Sequence, residues 1–161
     1  MPQNTEQHSL RPVLNEDEGF LKQVYGSTRI DELRPLNWSQ EQVQRFIQMQ
    51  FEAQYTHYRN YFPNAEHSIL LHHNIPVGRL YLDRTDDEFC ILDIALLPQY
   101  RNLGIGSYWL NRVIDEAHSV EKTVRIHVER NNPALSLYHR LGFQIIEQGD
   151  VYNLMEKSLS S

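Results

Sequence analysis

The chain has 161 residues, of which 40% are hydrophobic, and its 21 acidic against 15 basic side chains leave a formal net charge of -6. That length and apolar content suit one domain spanning residues 1–161 with a substantial core, and the acidic balance, with no Lys/Arg cluster interleaved with aromatics, argues against a nucleic-acid partner. The polar start Met1-Pro2-Gln3-Asn4-Thr5-Glu6-Gln7-His8 lacks a secretion signal, no run approaches a membrane span, and a lone cysteine, Cys90, cannot form an internal disulfide, so a cytoplasmic protein is expected.

Residues 9–13 read as a first strand, and residues 16–25 place Phe20, Leu21 and Val24 on one helical face. Residues 26–37, with Arg29, Asp31, Glu32 and Arg34, are expected to form a loop. Ser39 followed by Gln42 has the spacing of a capping box. A long helix should start there, with Val43, Phe46, Ile47 and Phe51 at helical spacing and Pro63 as its stop. Residues 67–73, 77–83 and 88–96 read as three strands of an antiparallel meander, with turns at 73–76 and 84–87. A helix over 104–118, a strand over 123–128, a helix over 133–141 with Pro133 in its first turn, and strands over 143–147 and 151–155 complete an α/β order.

Between the strand ending at Leu96 and the next helix, the chain turns through Leu97-Pro98-Gln99-Tyr100-Arg101-Asn102-Leu103-Gly104-Ile105-Gly106-Ser107. Glycines let a backbone approach a ligand closely, and the first turn of a helix leaves N–H groups unpaired with roughly half a positive charge. Such a turn suits a pyrophosphate. A dinucleotide fingerprint would need a third glycine where Trp109 stands, and a nucleoside triphosphate loop would need a lysine after Gly106. The remaining pattern, Arg101-x-x-Gly104-x-Gly106 after a strand, resembles the signature of the GNAT superfamily of acyl-CoA-dependent N-acyltransferases. The stretch from Val128 through Asn131-Asn132-Pro133-Ala134 and Leu137-Tyr138 to Gly142-Phe143 resembles the family's second block, and the likeness holds from about Ile75 to Lys157.

The resemblance implies a mixed, mostly antiparallel central sheet of about seven strands, with a parallel splayed pair in its middle and about four flanking helices. The splayed pair would be residues 88–96 and 123–128. Acetyl-CoA would be the acyl donor. Its phosphates would lie on Arg101, Asn102, Leu103, Gly104, Ile105, Gly106 and Ser107, and its pantetheine amides on the backbone of Ile94, Ala95 and Leu96. An asparagine opening the next helix would touch the cofactor arm, and Asn131 and Asn132 both stand there without a choice between them. An asparagine at that place also suits a helix cap.

Acetyl transfer requires a neutral amine, although a lysine-type ammonium has a pKa of about 10.4, and the departing thiolate needs a proton. By resemblance, Tyr138 of the Leu-Tyr pair contacts the cofactor and acts as general acid; Leu137, Tyr138 and Leu141 also have the spacing of core residues. Two residues are candidates for the base: Asp93 on the fourth strand and His127 on the fifth. An imidazole suits base work at neutral pH, whereas a carboxylate would need burial to raise its pKa. The acceptor site is expected among Arg29, Glu32, Trp38, Gln50, Tyr55, Tyr58 and Tyr152, where aromatics and charges can hold an amine. No metal is expected, since the adjacent His72 and His73 would point to opposite faces of a strand.

The leading expectation is acetyl transfer to a primary amine of a small molecule, with the bulky stretch 51–62 closing the site. Acetylation of a protein or peptide amine is the alternative. A reading from another class is a CoA-binding sensor or interaction module without catalysis. A homodimer would follow the habit of the family that the chain resembles.

Overall fold

The computed structural model describes residues 7–130 and 132–159. Among them the chain order is β1 (His8–Pro12), α1 (Glu18–Leu33), α2 (Gln40–Tyr61), β2 (Glu66–His72), β3 (Ile75–Arg84), β4 (Glu88–Leu96), α3 (Ile105–Ser119), β5 (Thr123–Glu129), α4 (Leu135–Arg140), β6 (Gln144–Gln148) and β7 (Tyr152–Lys157). The strands form a seven-stranded sheet in the order β1-β2-β3-β4-β5-β7-β6. β4 and β5 run parallel, and β1 with β2, β5 with β7, and β6 with β7 run antiparallel. This is the mixed sheet with a parallel central pair that the resemblance implied. No helix among the described residues is long and apolar enough to cross a membrane.

The chain forms two compact units. One takes in the residues up to Leu80 together with Ala95–Arg101, and the other Tyr81–Ile94 with the residues from Asn102 onward. In the first, Leu21, Tyr25 and Leu33 of α1 pack with Ile47 and Phe51 of α2 and with Ile69 of β2, all less than a tenth exposed. In the second, α3 rests on β5. Its buried stripe Ile105, Trp109, Leu110, Val113, Ile114 and Ala117 recurs at helical spacing, while Val124, Ile126 and Val128 alternate along β5.

Local chemistry explains the helix ends. Ser39 Oγ accepts from Gln42 N at 3.1 Å and Gln42 Oε1 accepts from Ser39 N at 2.9 Å, the reciprocal capping box expected from the sequence. α2 stops at Tyr61, with Phe62 as its cap before Pro63. The stretch 26–33, expected as loop, is instead the second half of α1. Leu33 there is buried, and Arg29 pairs with Glu32 one turn on at 2.6 Å. The charges are the solvated face of a helix. α1 gives way to a short turn at Arg34–Leu36, and Asn37 follows in the left-handed region at φ 58°.

Candidate active site

The turn after β4 is fastened at its start by its own backbone. Leu97 N donates to Val77 O at 2.9 Å, and one 3-10 turn, Pro98–Tyr100, closes through Tyr100 N to Leu97 O at 2.9 Å. Arg101 then bends its guanidinium back, donating to Leu96 O at 3.0 Å and to Ser27 Oγ of α1 at 3.3 Å. The arginine of the motif therefore braces the loop. Asn102 and Gly104 take left-handed backbone, φ 62° and 86°, and α3 begins at Ile105. The first bond of the helix from Gly104 O goes to Tyr108 N at 3.0 Å, so the N–H groups of Ile105, Gly106 and Ser107 belong to the first turn, which a helix cannot satisfy internally. No side chain caps this end. A Cβ at Gly104 would meet nothing within 4 Å, so the space above the turn is open. Unpaired donors, a helix N-terminus and open space fit a phosphate group.

Gly78 on β3, which sequence reasoning missed, lets the end of β4 come close. A Cβ there would overlap the Ala95 carbonyl oxygen and stand 2.8 Å from Leu96 Cδ2, so only glycine admits the end of β4 this closely. The signal was present, since an isolated glycine inside a strand marks close backbone approach. The parallel ladder joins Glu88 through Ile91 to Thr123 through Ile126, and residues 92–96 lie beyond its end. Ile94, Ala95 and Leu96 are in that segment past the pairing with β5, each half-buried.

Tyr138 on α4 is 4% exposed, with its ring 6.0 Å from that of Phe143 in an edge-to-face arrangement. Burial raises its phenol pKa well above the ordinary value, and the Asp93 carboxylate raises it further. The structure thus brings Tyr138 and Asp93 together. Asp93 follows the buried Phe89 and Ile91 at strand spacing, which puts it on their face of the sheet. His127 is exposed between buried Ile126 and Val128, so it projects from the opposite face. Asn132 is occupied as a turn residue, its Oδ1 accepting from Ala134 N at 2.8 Å. Asn131 lies outside the described residues. On β7, Asn153 is 5% exposed with its Oδ1 buried and without a hydrogen-bond partner; a polar residue two positions from Met155 in an apolar alternation was the overlooked sign.

The expected acceptor residues do not converge. Arg29 and Glu32 pair on α1, with the Arg29 guanidinium 6.0 Å from the Tyr25 ring. Trp38 packs edge-on against Phe46 at 5.4 Å, whereas Tyr58 meets the His67 ring at 6.3 Å. The helix from Gln40, just after Trp38, to Tyr58 spans about 27 Å, too far for one small-molecule pocket. Gln50 is half-buried, Tyr55 lies exposed beneath Arg59 at 5.5 Å, and Tyr152 is half-exposed on β7. The facing rule applied to His72 and His73 also fails. His73 is a turn residue at φ 51°, and the two rings approach to 4.5 Å. Among the described residues, no group of three or more His, Cys, Asp or Glu side chains is arranged to hold a metal ion.

Residues 30–143 match the model of the acetyltransferase (GNAT) family. The chain is 29% identical over 140 residues to N-alpha-acetyltransferase 50 of Danio rerio, covering 75% of this chain and 83% of that protein. It is 35% identical over 60 residues to an N-alpha-acetyltransferase of Sulfurisphaera tokodaii, covering 35% and 36%. Among solved structures, PaiA N-acetyltransferase of Thermoplasma acidophilum, in complex with coenzyme A, superposes with a TM-score of 0.70 at 18% identity over 94% of this chain and 98% of that one. Arabidopsis thaliana Naa50, in complex with the bisubstrate analogue CoA-Ac-MVNAL, does so with a TM-score of 0.59 at 20% identity over 94% and 99%. With the parallel pair, the Arg101-to-Gly106 turn and a family match over well more than half its length, the chain belongs to the GNAT acetyltransferases, the acyl-CoA-dependent N-acetyltransferases that use acetyl-CoA as cosubstrate.

Proposed function

We propose that the protein acetylates the α-amine of a polypeptide. The observation that carries this reading is the 29% identity, over 140 residues, with the zebrafish N-alpha-acetyltransferase. The spread of the aromatic and charged residues along α1 and α2 supports it, because an extended acceptor can use separated contacts where a small amine cannot. A small-molecule amine is the second reading, favoured by the net charge of -6, which attracts a compact cation.

The thioester of acetyl-CoA supplies the activated acetyl group, and the chain's residues divide the remaining work. The N–H groups of Ile105, Gly106 and Ser107 hold phosphate at the start of α3. His127, exposed on one face of β5, accepts the proton that the acceptor amine gives up on attack. Tyr138, buried on α4, donates a proton to the departing sulfur. Burial, and after it the Asp93 charge, raises the phenol pKa above its ordinary value.

The test is release of free CoA from acetyl-CoA by the purified chain. One arm uses short peptides with free N-termini, a second the same peptides blocked at the N-terminus, and a third a set of polyamines. Turnover with free peptides that is lost on blocking supports the proposal. Turnover with polyamines alone replaces it with the second reading. CoA binding without turnover on any amine leaves the sensor reading.

A further inference from the structure

The end of β1 that meets the β2–β3 turn carries three imidazoles that acetyl transfer does not use. His8 on β1 is the direct antiparallel partner of His72 on β2, and their ring centroids are 5.4 Å apart. His73, the next residue, takes left-handed backbone and brings its ring to 4.5 Å from that of His72. Its N–H donates to Gln7 O at 2.9 Å, so the turn closes onto the start of β1. His72 Nδ1 is buried without a hydrogen-bond partner. β1 is the first strand of the sheet order, and among the described residues it is held by β2 along one edge.

We propose that this cluster is a pH-sensitive clasp, in which protonation of the gathered imidazoles releases the histidine end of β1 from β2. Three neutral rings pack at these distances, whereas cations there repel one another, His8 and His72 half-buried and His73 at the exposed rim. Burial first, and then His72 of β2 and His73 of the turn among the described residues, push the His8 pKa below the ordinary 6.5. Because the folded value is the lower one, the opened strand takes up the proton first. Stability from this contact is therefore full above about pH 6.5 and is lost as pH falls below it.

The far end of β1 behaves differently. Arg11 holds Asp17 through two bonds of 2.8 Å on the strand's other face, and that carboxyl pKa is drawn down to about 2. Opening is thus confined to the stretch from His8 to Leu10. His67, at the other end of β2, answers to burial and to Arg79 and takes no part.

The test is amide hydrogen exchange on the full chain at about pH 7.5 and about pH 5.5, corrected for intrinsic rates, beside a proton titration of the imidazoles. Protection of the β1 and His73 amides should fall at least about tenfold at the lower pH while β5 holds, and His8→Gln should reduce that fall to within about twofold. Unchanged protection in the wild type, or an equal fall in His8→Gln, overturns the clasp. If His8→Gln does not fold, the wild-type titration decides. Coupled curves with His8 below the ordinary value support it, and three independent curves at that value overturn it.

Discussion

The phenol of Tyr138 is buried on α4 with the Asp93 carboxylate acting on it, and both effects keep it protonated far into the alkaline range. Tyr138→Phe should lower kcat by about 10²- to 10⁴-fold while calorimetric titration finds acetyl-CoA binding retained. The alkaline fall of kcat/KM in the wild type should not be set by this phenol, because its pKa is raised rather than lowered. His127→Asn should lower kcat by about 10²- to 10⁴-fold, and an unchanged kcat would exclude His127 as the base. At Gly78 the effect is steric: alanine would drive a methyl into the Ala95 carbonyl. Gly78→Ala is expected to destabilise by about 1–3 kcal/mol in urea unfolding.

Among elements, α1 depends on its anchor to β1. Asp17 accepts both from the Arg11 guanidinium and from Leu14 N, each at 2.8 Å, and its side chain is only 10% exposed. The bond to Arg11 is the main cause of its lowered pKa, about 2 against an ordinary 3.8. A lowered carboxyl pKa stabilises above the unfolded value and is lost as pH falls through the folded one. Roughly 1–2 kcal/mol, reduced by the partial exposure of Arg11, should therefore disappear between about pH 4 and pH 2. Asp17→Asn should lose that dependence in acid unfolding curves. The extent of α1 was the poorest reading of an element from sequence, because its second half carries charges whose Arg29–Glu32 pairing appears only once the helix exists. The ends of α2, set by Ser39 with Gln42 and by Pro63, were legible because capping and proline chemistry act within a few residues.

For the molecule as a whole, a cosubstrate that binds only the folded chain must stabilise it. Acetyl-CoA at a hundred times its Kd should add about 2.7 kcal/mol, read as a rise in Tm. Gly104→Glu should abolish that rise, since a side chain would fill the open space above the turn, force φ 86° on a residue that disfavours it and add a charge where phosphate should lie.

The order of strands and helices could be read from the chain, since periodicity and caps are properties of neighbouring residues. The parallel pair and the phosphate role expected of the Arg101-to-Ser107 turn came instead from the family resemblance. The tertiary structure decided what depends on residues far apart. It set Asp93 to act on Tyr138, turned Arg101 toward Ser27, made Gly78 the point of closest approach to β4, and drew His8, His72 and His73 into one cluster. It also separated Trp38 from Tyr58, which the family resemblance had grouped. A helix fixes spacing along its axis and a strand fixes facing, but which surfaces meet follows from the packing of the elements, and that packing is not a local property of sequence.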